Sequence, residues 1–275
     1  MSLDIATSVR LSSGFNMPLL GLGVFRNNDC IPACLAALKH GYRHIDSARV
    51  YGNEADVGEA VRRSGIPREQ VFLTTKIVGY EHGYESTLRA VDDSLKLFGV
   101  EYLDLFLIHD ATSGRAKRSE TWRALIKARD AGKLRSIGVS NFNVNHLEEI
   151  RSAGLETPSV NQIELQPFCQ QRPIVDYCKQ HGIVVQTYCP LIKGQFSHPV
   201  LQEVARKYNK DVSHVLIRWS LQHGFSPLPK SEKPERVVSN ADLYDFEITS
   251  EDMAKIDALD MGKEGAVSWN PIDVS

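Results

Sequence analysis

His44-Ile45-Asp46-Ser47-Ala48-Arg49-Val50-Tyr51-Gly52-Asn53-Glu54 is the stretch on which the reading of this chain turns. Residues 41–46 have the pattern of a short strand following a helix, and Asn53-Glu54 that of a cap and first turn of the next helix. Asp46 and Tyr51 therefore stand five residues apart where a strand gives way to a loop. Two later segments repeat the arrangement. Val71-Phe72-Leu73-Thr74-Thr75-Lys76 is β-rich, with Phe72, Thr74 and Lys76 on one face and Lys76 closing the strand. In Tyr102-Leu103-Asp104-Leu105-Phe106-Leu107-Ile108-His109, a period of two aligns Leu103, Leu105, Leu107 and His109, so an imidazole ends the third strand.

Titratable groups at the carboxyl ends of consecutive strands are the arrangement of a parallel barrel enzyme. A hairpin is expected around Ser12-Ser13-Gly14, followed by strands near 19–21, 44–46, 72–76, 103–109, 136–139, 161–164, 184–188 and 226–228. Amphipathic stretches of helical length lie between them at 31–40, 53–64, 85–98, 120–131, 145–153, 172–181 and 213–223. Alternation of strand and helix predicts a parallel α/β sheet. With 275 residues, the chain fits a (β/α)8 TIM barrel with an N-terminal β-hairpin and a short C-terminal extension. No linker, low-complexity segment or fixed repeat interrupts it, so residues 1–275 read as a single catalytic domain.

Composition narrows the function classes. A hydrophobic fraction of 42%, a charged fraction of 24% and a formal charge of -2 give no reason to expect nucleic acid or an anionic membrane as partner. No basic region followed by an apolar run opens the sequence and no apolar run is long enough to span a bilayer, so a cytoplasmic location is expected. The cysteines, Cys30, Cys34, Cys169, Cys178 and Cys189, are odd in number and lack CxxC spacing, which predicts reduced thiols. Cys30 and Cys34, one helical turn apart, read as core thiols, since two ligands do not make a zinc site. Monomer and weak dimer both remain open.

Several motifs stand in order along the chain: Met17-Pro18-Leu19-Leu20-Gly21-Leu22-Gly23, the run from Gly41 through Glu54, Thr75-Lys76, the strand ending at His109, Ile137-Gly138-Val139-Ser140-Asn141-Phe142, Asn161-Gln162-Ile163-Glu164 and Leu228-Pro229-Lys230-Ser231. Together they resemble the aldo-keto reductase superfamily over about residues 11–259. The resemblance implies a (β/α)8 barrel and NADPH-dependent reduction of a carbonyl to an alcohol.

Such a reduction needs a hydride on carbon and a proton on oxygen, and no side chain supplies hydride. Tyr51 is the candidate acid, although a free phenol has a pKa of about 10. Lys76 is expected to stabilise the phenolate and lower that pKa, with Asp46 pairing the ammonium inside the barrel. His109 can donate a hydrogen bond to the substrate oxygen. The resemblance assigns these roles to the same four positions. Taken singly, Asp46 and Lys76 read as a salt bridge, Tyr51 as a surface aromatic and His109 as a core histidine. Their joint placement at strand ends reverses that reading.

Two rival readings stand beside this one. A metal-dependent barrel hydrolase would draw on His44, Asp46, His109 and Asp110, but a catalytic zinc wants three protein ligands, no HxH pair is present, and Lys76 would repel a dication; no metal is expected. A non-catalytic nicotinamide-binding regulatory protein is the other, since fold alone does not set function. The intact set of four argues against it.

Gly21-Leu22-Gly23-Val24-Phe25-Arg26 is no dinucleotide fingerprint, because Arg26 replaces the third glycine and no helix opens there. The resemblance instead implies that Ser140, Asn141 and Gln162 hold the nicotinamide amide and that Tyr188 stacks on the ring, with helix capping an alternative role for Asn141. It further implies that Lys230, Ser231 and Arg236 clamp a 2'-phosphate and that Asn240 meets the adenine. Without the preceding motifs the run 230–236 would read as solvated charge. NADPH is the expected donor. Glu232 inside the clamp, and Ser239 where the family commonly has Glu, extend the expectation to NADH.

The substrate is expected to be a small-molecule carbonyl. Val78 and Asp110-Ala111 stand where many family members have an aromatic and a Trp-Pro, leaving Phe25, Tyr80 and Trp269 as candidate wall residues against their ordinary reading as scattered aromatics. Asp110 is expected to place a charge at the pocket mouth, favouring cationic or polyol substrates, and to raise the pKa of His109.

Overall fold

Gly14, at φ 88°, turns the chain between β1 (Ser8–Arg10) and β2 (Asn16–Pro18), which pair antiparallel with Val9 opposite Met17. This computed structural model describes residues 3–274. Beyond the hairpin, β3 (Leu22–Gly23), β4 (His44–Asp46), β5 (Phe72–Ile77), β6 (Leu103–Ile108), β7 (Leu134–Ser140), β8 (Val160–Glu164), β9 (Val184–Tyr188) and β10 (Ser226–Pro227) lie side by side in chain order. Every pair is parallel. Gly21 N donates to Pro227 O and Gly23 N to Pro229 O, each at 3.1 Å, so the last strand returns to the first and the sheet closes.

The first barrel strand lies at Leu22–Gly23, not at 19–21 as the sequence suggested. Leu19 N donates to Thr7 O, which ties that residue to the hairpin instead. Gly21 permits the closure: a Cβ there would lie 2.6 Å from Leu228 Cδ2, closer than any real contact.

The strands are joined through α1 (Ile31–Lys39), α2 (Glu54–Ser64), α3 (Tyr84–Phe98), α4 (Arg115–Asp130), α5 (Val144–Ser152) and α6 (Arg172–Gln180), followed by α7 (Pro199–Lys207), α8 (Val212–Gln222), α9 (Pro234–Ser239) and α10 (Ser250–Asp257). The helix α4 starts five residues before the expected boundary at 120, and α7, α9 and α10 had no counterpart in the sequence reading. In α2, Gly58 lets α3 cross closely, since a Cβ there would stand 2.1 Å from Phe98 O. Among the described residues no helix is long and apolar enough to cross a membrane.

Strand alternation divides the core in two. Ile45, Leu73, Phe106 and Ile137 point outward to the helices and belong to the same core cluster as Trp122 and Leu125 of α4. Leu105, Leu107, Phe72 and Val160 point inward and pack on Leu11 and Met17 of the hairpin segment. Each such buried side chain contributes roughly 1.5–3 kcal/mol. The hairpin thus plugs the amino-terminal end of the barrel with apolar side chains and leaves the carboxyl end for polar ones. All five cysteines are free thiols, four of them buried, as the odd count suggested.

Candidate active site

Parallel register brings the strand-end residues together. Asp46 on β4 pairs with Thr74 on β5, and Lys76, two residues further along β5, pairs with Leu107 on β6. Lys76 is fully buried; its Nζ donates to Asp46 Oδ1 at 2.6 Å and to the Ser47 carbonyl oxygen at 2.7 Å, leaving one ammonium proton. Burial pulls the Lys76 pKa below its ordinary value, against the opposing pull of Asp46. The second oxygen of Asp46 accepts from Gln162 Nε2 at 2.8 Å.

Tyr51 ends a short 3-10 turn, Arg49–Tyr51, that follows β4 and is stopped by Gly52 at φ 69°. The turn is fixed from outside by Arg49, which donates to Glu81 Oε1 at 2.9 Å and to Ala90 O at 2.9 Å. Asn53 occupies the cap position of α2 but makes no side-chain cap bond. Its buried amide instead donates to Val24 O and Asn27 O and accepts from Ser47 Oγ, joining two barrel loops.

The Tyr51 ring centroid lies 5.2 Å from Lys76 Nζ, 5.8 Å from the His109 ring and 5.0 Å from the Phe25 ring. Burial, followed by the Asp46 carboxylate and Cys189, holds the phenol well above its ordinary pKa. The expectation that Lys76 lowers it is therefore not met, because burial first, and then the Asp46 carboxylate, disfavour the phenolate. Tyr51 keeps its proton across the physiological range.

His109 follows β6, its backbone N donating to Ile77 O at 2.8 Å. Its imidazole is neutral: burial first, then the charge of Lys76, lowers the pKa to about 3. Asp110 does push it upward, as expected, but is outweighed. Nor is Asp110 a free charge at the mouth. Only 3% exposed, it accepts from the backbone N–H groups of Gly79 and Thr112 and from the Thr112 hydroxyl, and so folds the loop.

Asp46, Tyr51, His109 and Asp110 line one cavity of about 740 Å³, with Lys76 buried behind Asp46; Asn141, Gln162 and Tyr188 share the cavity, which reaches Lys230. That volume is within the range of small-molecule and cofactor sites. Asn141, at φ 59°, donates from Nδ2 to His109 O at 3.0 Å and to Ser140 Oγ at 3.2 Å, while its Oδ1 lies 2.8 Å from Tyr188 Oη. Ser140 gives its own proton to Gln162 O at 2.8 Å and does not line the cavity. Phe25, Val78, Tyr80 and Trp269 all line it, with Tyr80 79% and Trp269 61% exposed at the rim.

The expected phosphate clamp is only partly assembled. Lys230 lines the cavity, but its Nζ is paired with Glu232 Oε1 at 2.6 Å. Ser231 Oγ accepts from Lys233 N at 3.1 Å, Arg236 is exposed on α9, and Asn240 is buried at the end of that helix. The lining nonetheless suits a nicotinamide dinucleotide: amide groups and a phenol face at one end, cationic side chains at the other.

Sequence reasoning passed over Gln186, Glu164 and Lys193. Gln186 is buried on β9 and accepts from Gln162 Nε2 at 2.5 Å. Glu164, also buried, accepts from Val267 N at 2.6 Å and Ser268 N at 3.0 Å, pinning the segment that carries Trp269. The signal was available, because Gln162 with Glu164 and Gln186 with Tyr188 are i, i+2 pairs on one strand face. Lys193 lines the cavity from a turn whose φ of 51° no pattern announced. His44, a metal candidate in the hydrolase reading, has both ring nitrogens occupied, by Pro18 O and Thr74 Oγ1. Among the described residues no group of three or more His, Cys, Asp or Glu side chains is placed to hold a metal.

The model of the Aldo/keto reductase family matches residues 19–261. A glyoxal reductase from Bacillus subtilis (strain 168) is 45% identical over 275 residues, covering 98% of this chain and 98% of that protein. Among solved structures, MGS-M4, an aldo-keto reductase from a Medee basin deep-sea metagenome library, superposes with a TM-score of 0.93 at 41% identity, over 98% of this chain and 100% of that one. A Bombyx mori aldo-keto reductase in complex with NADP gives 0.86 at 35% identity over 94% of each chain.

Proposed function

The chain belongs to the aldo/keto reductase family, and on that premise we propose that it is an NADPH-dependent carbonyl reductase in which Tyr51 is the proton donor. The observation that carries the reading is the convergence of Tyr51, His109 and Asp46 on one cavity that runs on to Lys230, with the buried Lys76 paired to Asp46 behind it. NADPH, when bound, supplies the hydride. Asn141 and Gln162 orient its carboxamide, Tyr188 offers a flat face to the ring, and Lys230 with Arg236 meets the phosphate end. The neutral His109, which lines the cavity, offers a ring N–H to the substrate oxygen and fixes the carbonyl beside Tyr51. Tyr51 holds its proton until negative charge grows on that oxygen, and then gives it up. Lys76, with one ammonium proton uncommitted, steadies the phenolate that remains, and Asp46 keeps the ammonium charged in a site where burial works against it.

The aromatic rim formed by Phe25, Tyr80 and Trp269, with Asp110 withdrawn into its loop, leaves apolar walls open to uncharged aldehydes and dicarbonyls. The relative named glyoxal reductase points to the same class. The test is consumption of NADPH and NADH by the pure protein with aliphatic, aromatic, dicarbonyl and sugar aldehydes. Turnover with at least one class supports the reading. Tight NADPH binding without turnover on any carbonyl overturns it.

A further inference from the structure

The turn that carries Tyr51 is held at its two ends by the barrel. At its entry Ser47 N donates to Thr74 O at 2.9 Å, and at its exit the Asn53 amide donates to Val24 O at 2.9 Å and to Asn27 O at 3.0 Å. The bonds inside the turn, from Tyr51 N to Ala48 O and from Gly52 N to Arg49 O, set its shape but not its place. A segment held only at its ends can still swing about the line that joins them. A contact off that line removes the swing.

Arg49 makes that contact. It is not among the residues that line the cavity, and its guanidinium reaches α3 and the loop before it. Nε and Nη2 donate to Glu81 Oε1 at 3.0 and 2.9 Å, and Nη1 donates to Ala90 O at 2.9 Å and to Ser94 Oγ at 3.3 Å. A planar group bonded through three nitrogens to two separate segments is fixed in orientation as well as in position. The two charged side chains are only 17% and 23% exposed, so water competes weakly for these bonds. Stability alone does not account for the pair. Glu81 Oε2 is buried without a hydrogen-bond partner among the described residues, and a half-satisfied pair at such depth contributes little net stability against its desolvation.

We infer that Arg49 is a positioning residue for the proton donor: by fastening the turn to Glu81 and α3 it holds the Tyr51 hydroxyl within reach of the substrate oxygen. This rests on the reading of Tyr51 as that donor. Proton transfer needs the two heavy atoms within about 2.6–3.2 Å, and a displacement of about 1 Å can slow a reaction by about 10²-fold, so a slight swing of the turn is enough. Cofactor binding should not sense the change, because Arg49 lies outside the cavity.

The experiment is single-turnover reduction of an aldehyde by the full-length protein saturated with NADPH, for wild type, Arg49→Met, Tyr51→Phe and the protein carrying both changes, with NADPH affinity titrated for each. Arg49→Met should slow the wild-type reaction by about 10- to 100-fold while NADPH affinity stays within about twofold. The same change should slow Tyr51→Phe by less than about threefold, since no hydroxyl remains to be placed. Equal slowing in both backgrounds would mean a general disturbance of the site and would overturn the inference, as would an Arg49→Met protein that reacts at the wild-type rate. If wild type reduces no aldehyde, or Tyr51→Phe matches it, the proposed function fails and not the anchor alone. Should Arg49→Met not fold, Glu81→Ala loosens the same anchor from its other side: slowing of at least about threefold confined to proteins that keep Tyr51 supports the inference, and its absence overturns it.

Discussion

Replacing Asp46 by Asn keeps shape and one acceptor oxygen but removes the countercharge of Lys76, whose side chain is 0% exposed against 5% for Asp46. At that depth solvent screens almost nothing, and removing one partner of a buried pair costs about 3–5 kcal/mol. Burial already lowers the Lys76 pKa, and Asp46 supplies both leading influences that hold it up, its charge and its hydrogen bond. Without them the pKa falls further, while the unfolded chain keeps lysine near about 10.4. Between those two values the unfolded state binds more protons, so stability rises with pH by up to about 1.4 kcal/mol per unit. The wild type has the narrower window, so the deficit of Asp46→Asn should shrink as the pH rises from about 7 to about 10. Urea unfolding of both proteins across that range, with equal m-values, measures it. A deficit under about 1 kcal/mol near neutrality, or one that grows with pH, would refute the reasoning.

Three further expectations follow from particular contacts. His109 gains a proton only near pH 3, so kcat/KM for carbonyl reduction should show no histidine limb between about pH 5 and pH 8; a fall in rate centred near 6.5 would contradict the neutral assignment. Glu232→Gln frees Lys230 from its 2.6 Å partner, and because exposed pairs are weak and screened, NADP+ affinity should rise only modestly, by up to about fivefold, with NAD+ affinity unchanged, as read by titration. Gly58→Ala would set a Cβ 2.1 Å from the Phe98 carbonyl oxygen, so α2 and α3 must part, and thermal unfolding should register a loss of about 1–3 kcal/mol.

The barrel was legible where alternation was strong. In β6, Leu105 and Leu107 point to the hairpin plug and His109 emerges beyond them, as the period of two required. It was illegible where local pattern and long-range contact disagree. Leu19 and Leu20 look like strand residues, yet Leu19 is tied to Thr7, and β3 takes shape only through the distant bonds of Gly21 and Gly23 to 227–229. The short helix α9 lay hidden in a run of charges whose Pro234 start was the available cue. Of the site, the four strand-end residues were readable because chemistry and position coincide. Their ionisation was not: Tyr51 lies above its ordinary pKa because of burial and of Asp46, and neither is encoded in spacing. Asp110 misled for a similar reason, since Gly79 and Thr112 take up the charge that sequence alone leaves pointing at the substrate.

Rapid mixing of pure protein, saturated with NADPH, with an excess of aldehyde tests the central claim most directly, comparing wild type with Tyr51→Phe and following loss of nicotinamide fluorescence in a single turnover. The Phe variant lacks only the hydroxyl, so NADPH affinity should be unchanged while the hydride step slows by roughly 10²–10⁴-fold, the usual worth of a positioned acid, and a chelator should alter neither protein. A Tyr51→Phe variant that reduces aldehyde at the wild-type rate would contradict the account.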